Sequence, residues 1–193
     1  PNGNLSVYSD ADSADVDGYY NYLCGGTLSP TPFLTSQPTL TLAPTRQSRT
    51  TVYTESELKD AIASDTDIVL GNDITLDAAG STDSALEISG VTGLTIDGAG
   101  FTLGFSNAAN TGNGRILSLS ESEVEIVDLT FSNAYFLGDG GAIYSDDSTL
   151  TLTSCTISNA RAYDTDSNLM GGAIFSFDST LTLTSCTISN ALA

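Results

Sequence analysis

Apolar and polar residues alternate in short runs along most of the chain, as in Leu94-Thr95-Ile96, Phe101-Thr102-Leu103, Leu150-Thr151-Leu152 and Cys155-Thr156-Ile157. A period of two places successive side chains on opposite faces, so each run reads as a strand with one face buried. The runs recur at fixed distances. Residues 140–160, GGAIYSDDSTLTLTSCTISNA, return at 171–191 as GGAIFSFDSTLTLTSCTISNA, with 19 of 21 positions identical at an offset of 31. A looser copy, residues 114–134, aligns without gaps at an offset of 26. There Leu117 matches Ile143, Val124 and Ile126 match Leu150 and Leu152, and Leu129 and Phe131 match Cys155 and Ile157. A unit with three short strands cannot bury its own apolar face, but units stacked about 4.8 Å apart build parallel sheets around a continuous core. An antiparallel sandwich would not place identical residues at one phase. The predicted fold is all-β, a right-handed parallel β-helix.

Upstream, the runs at residues 68–76, 85–89 and 91–103 supply earlier strands, and before them stands one helix. Thr54-Glu55-Ser56-Glu57 is a capping box, and Leu58, Ala61 and Ile62 form an apolar stripe that ends near Ser64. Such an N-terminal helix would cap the open end of the solenoid and shield its strand edges. At the other end no equivalent cap follows the last Ser-Asn-Ala, so a truncated C-terminus and end-to-end self-association are expected. Residues 1–50 differ in character: an acidic run at 10–17, the tyrosines Tyr19, Tyr20 and Tyr22 beside Cys24, then four prolines among many Ser and Thr. This segment reads as an extended or disordered linker, with the β-helix occupying 51–193.

Stacking at one phase assigns parts to particular residues. Asn107, Asn133, Asn159 and Asn190 share a phase, which predicts an amide ladder at a turn. Cys155 and Cys186 stack as small buried side chains rather than as a disulfide, because facing positions on adjacent parallel strands seldom offer disulfide geometry. Gly140-Gly141 and Gly171-Gly172 are expected to form tight turns with positive φ. Thr149, Thr151 and Thr153 project outward, and Thr180, Thr182 and Thr184 repeat them on the next rung, making a regular array of hydroxyls and methyls.

Charge narrows the function. Twenty-four acidic residues against five basic ones give a net charge of −19 over 193 residues, which repels phosphate backbones, so nucleic acid is excluded as a partner. The absence of His removes every Ser-His-Asp, Cys-His and His-ligated metal scheme. No apolar run approaches the roughly 20 residues that span a bilayer. Three cysteines, Cys24, Cys155 and Cys186, without C-x-x-C spacing support neither a zinc site nor a disulfide scaffold. Abundant Ser and Thr, with 18 Asp against 6 Glu, fit an extracellular or cell-surface protein.

The motifs Gly140-Gly141-Ala142-Ile143 and Gly171-Gly172-Ala173-Ile174, each followed closely by STLTLTSCTISN, resemble the repeats of the polymorphic outer-membrane protein family, known for GGAI motifs in pectin-lyase-like β-helices. Residues 51–103 are similar to the N-terminal entry of pectin-lyase-like proteins generally. The resemblance implies a surface or secreted passenger domain that works in adhesion without catalysis.

Candidate chemistry is sparse. A polysaccharide lyase or hydrolase of the same fold is the alternative, with paired carboxylates Asp146 and Asp147 and the basic residue Arg115 as its candidate groups. Their position at a turn before a strand suits a structural part better. Calcium is a candidate ion at Asp139, Asp146, Asp147, Asp164, Asp166 and Asp178, though no calcium-loop spacing is present, and no other cofactor is expected. The threonine array resembles an ice-binding surface, but outward Thr is also an ordinary strand residue. The favoured reading is a non-catalytic secreted or surface β-helix acting in adhesion, glycan binding or structural display.

Overall fold

The computed structural model describes residues 49–77, 79–106, 113–163 and 171–193. The chain enters through β1 (Arg49–Val52) and α1 (Glu55–Ala61), and β2 (Asp67–Leu70) and β3 (Ile74–Leu76) form the rung that follows. Next come β4 (Ser84–Ser89), β5 (Leu94–Asp97) and β6 (Thr102–Phe105), followed by β7 (Arg115–Ser120), β8 (Glu123–Val127), β9 (Thr130–Ser132) and β10 (Tyr135–Leu137). The near-identical units supply β11 (Ile143–Asp146), β12 (Thr149–Thr153), β13 (Thr156–Ser158) and β14 (Arg161–Tyr163), then β15 (Ile174–Phe177), β16 (Thr180–Thr184) and β17 (Thr187–Ser189).

Every pairing between these strands is parallel. Sheet A runs β1-β2-β5-β8-β12-β16, sheet B β17-β13-β9-β6-β3, sheet C β15-β11-β7-β4, and a lateral sheet D joins β10 to β14. This is the parallel β-solenoid that the repeats imply, entered at Arg49. The register reproduces the sequence alignment residue by residue: Leu117 faces Ile143, Val124 and Ile126 face Leu150 and Leu152, and Phe131 faces Ile157. Sheet D lies outside the three-strand unit read from the sequence. Its strands, Tyr135–Leu137 and Arg161–Tyr163, fall outside the repeated unit and share no residues in register, so neither repetition nor alternation announces them.

The core fills the space between the sheets, with Leu86, Ile96, Leu119, Ile126, Phe131, Leu150 and Leu152 all but sealed from solvent. Leu58 on α1 is 0% exposed and joins this core, while α1 packs on β1 and β3. The N-cap forms, with Thr54 Oγ1 accepting from Glu57 N–H at 3.2 Å, while the Glu57 carboxylate accepts from Tyr53 N–H at 2.7 Å, one residue before the usual capping-box partner. The helix stops at Ala61 rather than near Ser64, because Ile62 adopts an extended conformation as it turns into the first rung.

Each rung of the last three turns at left-handed residues. Glu121, Asp147 and Asp178 occupy one turn, Asp128, Ser154 and Ser185 the next, and Asn133, Asn159 and Asn190 the third, all at φ between 42° and 63°. Asp and Asn bear this region better than most side chains because short polar groups can bond locally. Of the glycine pairs, Gly140 and Gly171 take positive φ, at 69° and 71°. Gly141 and Gly172 serve differently: a Cβ on Gly141 would overlap the carbonyl oxygen of Gly172 and the backbone of Arg161.

Candidate functional site

The ladders come first, because they separate residues that build the solenoid from residues left free to meet a ligand. Asn190 Nδ2 donates to Asn159 Oδ1 and Asn159 Nδ2 to Asn133 Oδ1, each at 3.2 Å, while Asn133 Nδ2 ends on the Phe105 carbonyl at 2.8 Å. Asn107 lies outside the described residues, as do Cys24, Asp164 and Asp166. Cys155 and Cys186 are free thiols. Cys155 Sγ contacts the carbonyls of Ile126 and Thr153, and Cys186 Sγ repeats the pattern on Leu152 and Thr184. Burial pushes the Cys155 thiol above its ordinary value.

A third ladder was not anticipated from the sequence. Ser122, Ser148 and Ser179 each donate through Oγ to the carbonyl two residues back, at 2.7 Å, and accept from the preceding rung. Val91 N–H reaches Ser122, Ser122 N–H reaches Ser148, and Ser148 N–H reaches Ser179, at 2.9 to 3.1 Å. The signal was present in the shared phase of these serines, but Ser is so common at turns that it does not stand out.

Arg115 and the candidate carboxylates have separate structural partners. Arg115, 7% exposed, donates from Nε to the Gly140 carbonyl at 3.0 Å, from one terminal nitrogen to the Asp139 carbonyl at 2.6 Å, and from the other to Ser84 Oγ at 3.4 Å. Its guanidinium lies over the rings of Phe136 and Tyr144, 3.6 and 4.7 Å from their centroids. Desolvation lowers it to about 10, against attraction from Tyr144, Asp139 and Glu87. It remains charged at neutral pH, and neither Asp146 nor Asp147 is among its partners. Asp147 sits in the left-handed turn at φ 45° and donates its N–H to Phe177, a turn-forming position shared with Glu121 and Asp178. Asp146 projects from the outer face of β11.

Among the described residues, no three His, Cys, Asp or Glu side chains gather closely enough to hold a metal ion. No helix among them is long and apolar enough to cross a membrane. A cleft of about 470 Å³ opens where α1 meets β4, the unpaired edge of sheet C, and is lined by Lys59, Ile62, Leu86, Glu87 and Val91. No candidate residue lines it, although Ser84 on its wall accepts from Arg115.

Two outer faces are regular. On sheet A, Thr149, Thr151 and Thr153 face Thr180, Thr182 and Thr184 in direct register, and the rung below carries Glu123, Glu125 and Val127. On sheet C, Tyr144 faces Phe175 and Asp146 faces Phe177. Burial first, and then the Asp146 carboxylate, raise the Tyr144 phenol above its ordinary value.

No curated protein and no solved structure matches the chain. A family model does, over residues 49–170, from the first strand of the solenoid through the fourteenth and beyond. The match covers more than half of the chain and agrees with its parallel solenoid, and the chain belongs to the pectate lyase-like adhesive domain family.

Proposed function

We propose that the chain is a non-catalytic adhesive solenoid, working outside the cell or at its surface, that holds a glycan or another surface partner on its outer face. The observation that carries this reading is the match to the adhesive family across residues 49–170. The positions of the candidate catalytic groups agree with it. Arg115 is committed to carbonyls and aromatic rings, and Asp147 to a turn. The GGAI motifs extend the reading to passenger domains like the polymorphic outer-membrane repeats, and calcium enters it only as a bridge between acidic loops and an acidic polymer.

The test is to incubate the full chain with neutral and acidic polysaccharides, with and without calcium, following polymer length by mass spectrometry and retention on each polymer. Intact polymers with selective retention are expected. Shortened products would overturn the reading in favour of a lyase or hydrolase using Asp146, Asp147 or Arg115. Absence of retention on every polymer would remove glycan adhesion and leave display, or ice binding through the threonine array, to explain the fold.

A further inference from the structure

The two near-identical units differ at only two positions, Tyr144 against Phe175 and Asp146 against Phe177. Register places both differences on paired strands, β11 and β15, two residues apart. Ile143 and Ser145, the alternate residues of β11, are buried, so the differing positions share the outer face. Core, turns and ladders are held constant between the units, and all the variation falls on the exterior of sheet C.

That exterior consists of two columns across the rungs. One runs Glu87, Ser118, Tyr144, Phe175, and the other Ser89, Ser120, Asp146, Phe177. Both begin polar and become aromatic. The Tyr144 and Phe175 rings stack with centroids 5.6 Å apart and planes 27° apart, and Phe177 beside them is 52% exposed. Leu183 and Ile188 are also exposed, but for a different reason: they point inward on the outermost rung. Phe175 and Phe177 point outward, so stacking another rung would not bury them. Large apolar side chains clustered on a solvent face mark a contact surface. Tyr144 is held from one side by the Arg115 guanidinium, which is itself anchored to backbone carbonyls.

Resting on the adhesive reading, we propose that this strip binds a neutral polysaccharide chain, with a sugar ring against exposed Phe177, the outward edges of the stacked Tyr144 and Phe175 rings beside it, and sugar hydroxyls donating to Asp146. Size favours a glycan. Wholly covered, three aromatic side chains bury about 150–250 Å² each, less in total than the roughly 800 Å² that each partner gives to a stable protein interface. A sugar ring offers a flat C–H face for an aromatic ring and a rim of hydroxyls for a carboxylate and serines. Rungs about 4.8 Å apart are spaced close to the length of one sugar ring, so a chain running along the solenoid meets aromatic side chains on the two successive rungs of β11 and β15 and polar ones on the rungs before them. Charge favours a neutral polymer, because a net charge of −19 repels uronates.

The experiment is affinity electrophoresis of the full chain through gels containing a soluble β-glucan, a mannan or polygalacturonate. Phe177→Asp and Phe175→Tyr install residues that the preceding unit already carries in the same positions, so both suit the fold, and thermal melting verifies it. The expected result is retardation by at least one neutral polymer, weakened about tenfold by Phe177→Asp at unchanged melting temperature and kept by Phe175→Tyr. Retardation unaffected by Phe177→Asp, seen only with polygalacturonate, or lost in Thr182→Ala instead, overturns the strip and leaves adhesion standing. No retardation by any polymer overturns the strip and removes glycan adhesion with it.

Discussion

Arg115 shows how much one side chain can depend on its surroundings. It opens β7 at the place that Gly141 occupies in the following rung, so no side chain stands above it there. Its planar fork reaches two carbonyls while its faces meet Phe136 and Tyr144, which compensates for the loss of water around a charge. Arg115→Ala removes these donors and leaves a void beside Phe136. The expected cost is about 2–4 kcal/mol in urea denaturation, with Arg115→Lys restoring only part because an ammonium cannot fork. An unchanged midpoint in Arg115→Ala would show that the guanidinium does not hold sheet D's flank to sheet C. From the sequence alone Arg115 is one of five cations among twenty-four acids, which makes it a candidate catalytic group. Nothing local in RILSLS announces a buried guanidinium.

At the level of elements, the ladders connect rungs that the core alone would leave free to slide. Asn159 both donates and accepts, whereas Asn190 only donates among the described residues. Asn159→Ala loses two amide bonds and places Ala at φ 53°, costing about 2–4 kcal/mol. Asn190→Ala costs about half that, measured by the same unfolding curves, and equal effects would deny the ladder its cooperative part. The Asn ladder was legible because four Ser-Asn-Ala tripeptides share a phase. The Ser122, Ser148 and Ser179 ladder shares the same phase steps, yet its hydroxyls accept from backbone N–H groups of the preceding rung, and only the assembled register shows that Ser148 Oγ is the acceptor Ser122 N–H needs. Sheet D was illegible for a related reason: Tyr135 and Tyr163 stack at 6.3 Å across 28 residues of sequence, a contact no local pattern encodes.

For the chain of 193 residues taken by itself, two tendencies compete. The net charge of −19 keeps copies apart, while the last rung leaves Leu183, Ile188 and Leu192 about half exposed beside unpaired strand edges. Screening shortens the reach of the repulsion, from about 30 Å at 0.01 M salt to about 8 Å at 0.15 M. Sedimentation velocity should therefore find a monomer at low salt and concentration-dependent association as salt rises, suppressed by Leu183→Lys. A monomer under all conditions would mean that the open rung is harmless as it stands.

What the sequence determined by itself was translational: a strand period of two and units recurring at 26 and 31 residues dictate parallel stacking, the register, the inward residues and the Asn and Cys columns, because each follows from placing equal residues at equal phase. Tertiary structure decided what depends on neighbours far apart in the chain. It buried Arg115 between two rings, paired β10 with β14, gave the serines their acceptor role, and turned two substitutions between repeats, Tyr144 to Phe175 and Asp146 to Phe177, into one aromatic strip on one face. A periodic pattern says which side of a strand a residue occupies, but which groups surround it is settled only when the rungs close on one another.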